Sequence, residues 1–365
     1  MRKSSRIRPQ GWISRYASWL AIVFAVMFLT ASCQTLPLKK VRHNRMDTSG
    51  RARGVAAQDE YAFVADGEDG LAIVNISNPK SLQKRGSVGL PGFAGRVAVE
   101  GNLAVVADAT QNRLHLVDIS DKFTPALKWT FQTLDIVREV AIQGGTAFLA
   151  ESGDDFSGVE AISCSLTAKP ASLNSTAIKD IRDVAATSGQ VFVISPSGLT
   201  VLGRSAKKGF TAAPLATLNI SSSEDLQSID GRAETHLLIL GKSLYLVDVT
   251  SASNPVVRDQ ATVSGYAQNR VVASMEVFPA NISKPKILRF GYSTLHEYGT
   301  GWAELTTQKI LFVMQGVDLD KESEGHCQLY DIEMRKDSNL FFASGDVFAI
   351  GALDNYGLGV AFYTL

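Results

Sequence analysis

Three observations predict an all-β fold made of repeated four-stranded sheets. The chain repeats itself: Val55, Val97, Val140, Val184 and Ile229 hold one place in five copies, at separations of 42, 43, 44 and 45 residues. Within each copy the apolar residues fall in short β-branched runs bounded by Gly, Asp, Asn or Pro, as in GVAAQDEYAFVAD (54–66) followed by LAIVN (71–75). The three- and four-residue apolar spacing of helical repeats is missing. A period near 43 with strands this short is the pattern of a β-propeller in which each repeat supplies one four-stranded blade.

The chain begins with a segment that reads as an address, not as structure. Arg2, Lys3, Arg6, Arg8 and Arg15 precede an apolar run from Ala17 to Leu29, and no acidic residue stands before Cys33. Thirteen residues are fewer than the 20 or so that cross a bilayer as a helix, so residues 1–32 read as a signal peptide and 33–365 as a single propeller domain. Thr30, Ala31, Ser32 and Cys33 resemble the lipobox of bacterial lipoproteins, with Thr30 where Leu is usual. The resemblance implies a thiol acylated (palmitate or a similar chain) at Cys33, which becomes the new N-terminus and anchors the protein to a membrane. Gln34 stands where an Asp resembles the inner-membrane retention signal, which points to the outer membrane of a Gram-negative cell envelope.

Composition then bounds the rest. The chain is 45% hydrophobic and 20% charged, enough apolar material for a large core. Its 36 basic and 36 acidic residues balance, but loss of the five basic residues before Cys33 leaves 31 against 36, a net charge of −5. A mildly acidic domain has no electrostatic footprint for nucleic acid.

The second copy is RVAVEGNLAVVAD (96–108) with LHLVD (114–118), and the third starts EVAIQGGTAFLAE (139–151). The fourth has DVAATSGQVFVI (183–194), and the fifth has HLLIL (236–240) with LYLVD (244–248). These copies resemble LVIVD repeats, strongly over roughly residues 51–265, and the resemblance implies a bacterial propeller. Beyond them, strand pairs are expected at 275–278 with 287–290, 310–313 with 328–332, and 347–350 with 358–363. Five copies and three pairs would make eight blades, but only 14 residues separate Ile332 from Val347, too few for an outer and an inner strand with their turns, so seven blades are expected, with eight as the alternative. The last pair reaches the chain terminus without an outer strand, while PLKKVRHNRM (37–46) resembles the outer strands PALKWTF (125–131) and PVVRDQ (255–260). Pairing of this N-terminal strand with the C-terminal blade is the expected closure, because it removes exposed sheet edges.

Asn75, Asp118 and Asp248 recur at one repeat position and are expected to bond local backbone N–H groups beside a turn. Cys164 and Cys327 fall on distant blades, which favours two free thiols over a disulfide. The acidic hairpin loops are the candidate interaction surface: Asp66, Glu68 and Asp69, then Glu151, Asp154 and Asp155, then Asp318 and Asp320, with Glu322 and Glu324 beyond. Such loops emerge on one rim of a propeller as solvated turns. They could supply some of the six to eight oxygens that calcium takes, but none matches a defined calcium loop, so no cofactor is expected.

No nucleophile elbow, HisGluXxxXxxHis, CysXxxXxxCys or phosphate loop stands in the chain. The sequence reads as a binding or scaffolding module for an envelope protein or glycan. A metal-dependent hydrolase or lactonase is the alternative, because a central channel can assemble ligands from several blades without a local motif.

Overall fold

The computed structural model describes residues 39–262 except 79, 80, 197, 212 and 234, and beyond them the strands Glu276–Val277, Lys286–Ser293, Tyr298–Leu305, Ile310–Val317, Leu329–Lys336, Val347–Leu353 and Gly357–Thr364. Side chains are described between Met46 and Gln260, with 230–234 also excluded. Residues 1–38, and with them Cys33, lie outside the described residues, as do Asp318, Asp320, Glu322, Glu324 and Cys327.

Among the described residues the one helix is the 3-10 turn Ser222–Glu224, and the strands fall into seven antiparallel sheets. The first sheet runs Gly54–Gln58, Tyr61–Ala65, Leu71–Asn75 and Gln83–Val88 in spatial order. The second is Ala94–Glu100, Leu103–Asp108, Arg113–Asp118 and Ala126–Gln132, and the third is Val137–Gln143, Thr146–Ser152, Ser157–Ser163 and Ala171–Ala177. In the fourth, the third strand Gly198–Ser205 pairs with two short pieces, Gly209–Phe210 and Ala216–Asn219. The fifth is Ser228–Ala233, His236–Leu240, Ser243–Asp248 and Val256–Thr262.

The late strands depart from the expected pairing. Ile310–Val317 does not join the 328–332 run; it pairs with Tyr298–Leu305, the third strand of the sixth sheet. YGTGWAEL (298–305) has two glycines and no apolar alternation, so the sequence carries little strand signal there. Leu329–Lys336 instead opens the seventh sheet, whose order is Lys39–Met46, Gly357–Thr364, Val347–Leu353, Leu329–Lys336.

The middle strands of the first five sheets are buried on both faces, and this explains their near-continuous apolar runs. Successive side chains point to opposite faces, so Ala62 and Val64 join one apolar cluster while Phe63 and Ala65 join the next, against Val97, Ala104 and Val106 of the second sheet. Leu103, Val105 and Leu116 likewise meet Val140, Leu149 and Ile162 of the third. Phe148 and Val159 meet Val184 and Val193 of the fourth, and Phe192 and Val201 meet Ile229 and Ile239 of the fifth. A fully buried Val, Leu or Phe contributes roughly 1.5–3 kcal/mol. A hydrogen bond contributes nearer about 1 kcal/mol net. The apolar faces therefore hold the sheets together, and the polar bonds between sheets set their register.

The repeat is also visible in irregularities. The pairing of third with fourth strand slips by one residue at Ile73/Val74, Leu116/Val117, Ala161/Ile162 and Leu246/Val247, the same place in four sheets. After the third strand, Asn75 Oδ1 accepts the Ser77 N–H at 3.1 Å, Asp118 Oδ1 the Ser120 N–H at 3.0 Å, and Asp248 Oδ1 the Thr250 N–H at 2.8 Å. The recurring Asn or Asp position is a turn former, as its chemistry predicts.

Candidate functional site

The first strands of consecutive sheets lie side by side. The anchor residues Val55, Val97, Val140, Val184 and Ile229 are all buried, and they repeat. The residue just before each does not: it is Gly54, Arg96, Glu139, Asp183 and Ser228 in turn. At Gly54 an added Cβ would lie 2.8 Å from the Gly95 carbonyl oxygen, so the close approach of the second sheet requires glycine.

Arg96 uses that proximity. Its Nη1 donates to the Arg53 carbonyl at 2.8 Å, one repeat back, and its Nε reaches the Arg138 carbonyl at 3.1 Å and Glu139 Oε2 at 3.0 Å, one repeat on. Glu139 Oε1 in turn accepts the Val140 N–H at 3.0 Å. Asp183 continues the series: Oδ1 accepts the Val184 N–H at 2.6 Å, and Oδ2 accepts the Ile229 N–H of the fifth sheet at 2.8 Å. Burial, and then the charge of Glu139, pushes the Asp183 carboxyl well above the usual carboxylate range. Polar bonds thus join the first three sheets through Arg96 and the fourth to the fifth through Asp183.

These residues border a cleft of about 430 Å³, lined also by Arg138, Arg182 and Asp180 and by Ser152, Ile181 and Gln227. Arg138 donates from Nε to the Ser152 carbonyl at 3.0 Å and is otherwise exposed. Arg182 is exposed as well, and its guanidinium makes no ion pair or hydrogen bond among the described residues. The cleft is polar and rich in arginine.

The residues expected to form an acidic rim divide into two groups. Glu68, Asp69, Asp154 and Asp155 are exposed, in keeping with solvated turns. Asp66 and Glu151 are fully buried instead. Asp66 accepts the Thr48 hydroxyl at 2.6 Å and the Gly50 N–H at 3.1 Å, pinning the segment that leads into the first sheet, and burial raises its pKa. Its counterpart Asp108 accepts Thr110 and Gln111 N–H groups at 2.8 and 3.1 Å. Glu151 faces Glu160, also buried, and burial followed by the Glu160 charge pushes Glu151 up to about 9. Ser172 Oγ donates to Glu160 Oε1 at 2.6 Å, and both Glu151 oxygens lack a hydrogen-bond donor.

Among the described residues no hydrogen bond or ion pair joins the Asp66 loop to the Glu151 loop, and no group of three or more His, Cys, Asp and Glu is placed to hold a metal ion. Cys164 is a buried free thiol. The arginine cleft escaped the sequence reading because its residues are scattered over four copies. The signal available was a charged, variable position beside an invariant apolar one.

The family model for the LVIVD repeat matches residues 49–89 and 91–133. No curated protein matches the chain. Among solved structures, the chain is similar to the Myceliophteria thermophila Cps50 (Swd1) β-propeller domain, with TM-score 0.60, 10% identity and coverage of 90% of this chain and 100% of that one. A Saccharomyces cerevisiae complex of Dbp5 bound to Nup159 and Gle1 matches with TM-score 0.58 and 9% identity, over 90% and 95%. BamB from Moraxella catarrhalis matches with TM-score 0.51 and 11% identity, over 90% and 98%. At such identities the likeness concerns the fold alone. This chain carries LVIVD repeats and has the fold of a β-propeller.

Proposed function

We propose that this chain is an exported lipoprotein, acylated at Cys33 and held at the cell envelope, at the outer rather than the inner membrane, whose propeller binds a protein partner. The observation that carries the reading is the fold, which is similar over about nine-tenths of the chain to structures that include a propeller solved with Dbp5 bound. Seven closed blades are part of the proposal. They are supported by the order of the seventh sheet, where Lys39–Met46 sits beside Gly357–Thr364, and by contact between the first strands Gly54–Gln58 and Leu329–Lys336. Closure leaves no free edge to pair with another chain.

A lipid on Cys33 would then lie only a few residues before the strand that closes the propeller. Such a short tether sets one flank against the bilayer and leaves the remaining loops for a partner. Capture by crosslinking on intact cells, with the native protein and Cys33→Ser compared, tests both parts. The native chain is expected in the membrane fraction with the mass of its acyl chains and a crosslinked protein. Unchanged mass and membrane association in the variant would sink the anchor, and recovery of no protein above a mock sample would sink the binding role.

A further inference from the structure

We infer that the cleft spanning the second to fifth sheets is a carboxylate-binding site, with Arg138 and Arg182 as donors and acidic side chains of the protein partner as ligand. The inference rests on the binding role proposed above and names where and by what chemistry it acts.

The argument compares what the cleft has already engaged with what it has left. Its acceptors are engaged: Glu139 takes Arg96 Nε on one oxygen and the Val140 N–H on the other, and Asp183 takes the Val184 and Ile229 N–H groups. Asp183 is buried, and its raised pKa keeps it neutral over a wider range, so it repels an incoming anion less. Asp180 is exposed at the rim, with Lys179 Nζ 4.0 Å away. The donors are less engaged. The Arg182 guanidinium makes no hydrogen bond or ion pair among the described residues, and Arg138, whose charge also acts on Asp135, hydrogen-bonds only through Nε, which leaves its four Nη hydrogens.

Both arginines stand two residues before the buried valine of their copy, Val140 and Val184, so consecutive strands present them to one concavity. Planar guanidinium groups match a carboxylate with paired hydrogen bonds. A cleft of about 430 Å³ is larger than a lone inorganic anion requires and lies within the size range of ligand sites, which suits a peptide side chain entering with its backbone.

Fluorescence anisotropy of the full chain with a labelled hexaglutamate peptide tests this, with hexalysine, citrate and inorganic phosphate as comparison arms and melting curves to verify folding. Hexaglutamate is expected to bind saturably and more weakly as salt rises. Arg182→Gln, whose side chain has no structural bond to lose, should weaken it by at least roughly tenfold, and Arg138→Gln/Arg182→Gln by more. Equal binding by a folded double variant, tighter binding of hexalysine, or binding of citrate or phosphate without hexaglutamate would overturn the site. A crosslinked partner that holds the double variant as tightly as the parent removes the cleft and leaves the binding role standing. Retained hexaglutamate binding with no partner recovered does the reverse.

Discussion

Arg96 Nε lies 3.0 Å from Glu139 Oε2, and the two residues are 43 positions apart, which is one repeat. A separation of about one repeat recurs in other bonds between sheets. Gln58 exchanges two hydrogen bonds with Gly101, 43 residues on, and the Glu100 carboxylate accepts the N–H groups of Gly144 and Gly145 at 2.6 and 2.7 Å, 44 and 45 residues on. Gly144 and Gly145 both have positive φ, so the hairpin turn aims two adjacent N–H groups at one carboxylate. The first three repeats are thus tied at both ends of their first strands.

The Arg96 tie predicts measurable coupling. Both side chains are about one-fifth exposed, so the pair is only partly screened by solvent. Arg96→Ala also releases three backbone carbonyls and should destabilise the protein by about 1–3 kcal/mol in denaturant unfolding. A double-mutant cycle with Glu139→Gln is expected to give a coupling energy of roughly 0.5–2 kcal/mol, and zero coupling would mean the contact only accompanies the apolar packing.

Glu151 predicts an alkaline weakness. Its folded pKa of about 9 stands above the 4.5 of the unfolded chain, so the folded state binds the proton more tightly. The stability this contributes is fully present below pH 4.5 and is lost as pH rises through about 9. Glu151→Gln should therefore match the parent near pH 4 and exceed it by at least about 1 kcal/mol near pH 8. Parallel stability curves for the two proteins would contradict this.

Asp248 predicts the opposite slope. Burial alone would raise its pKa, but bonds from Thr250 and from Arg258, whose Nη2 lies 2.7 Å away, hold it down to about 2. That contribution is present above pH 3.8 and falls away as pH drops through about 2. Asp248→Asn should flatten the acid limb of the unfolding curve and cost about 1 kcal/mol at neutral pH.

Cys164 is buried, and burial pushes its thiol up to about 12. The thiolate is the reactive form, so the native protein should leave Cys164 unlabelled by iodoacetamide at pH 8, as judged by peptide mapping, and unfolded protein should label it fully. Rapid labelling in the native state would show that the third sheet opens.

Local chemistry determined a large share of this protein. Short β-branched runs recurring at Val55, Val97, Val140 and Val184, with turn-forming Asn75, Asp118 and Asp248, were enough to specify four-stranded repeats and their first-strand anchors, because strands and Asx turns are set by neighbours in sequence. The Gly-rich strand 298–305 was not legible, since its place comes from pairing with Lys286–Ser293 and Ile310–Val317 rather than from its own pattern. Nor could the sequence tell Asp66 and Glu151, which are buried, from Asp69 and Asp154, which are exposed; all four read as acids in hairpin loops, and only the folded surroundings decide which of them loses water. The cleft belongs wholly to tertiary structure. Arg138 and Arg182 lie 44 residues apart and share one concavity because apolar faces stack one repeat on the next, and that stacking turns a sequence period into a spatial distance of one strand.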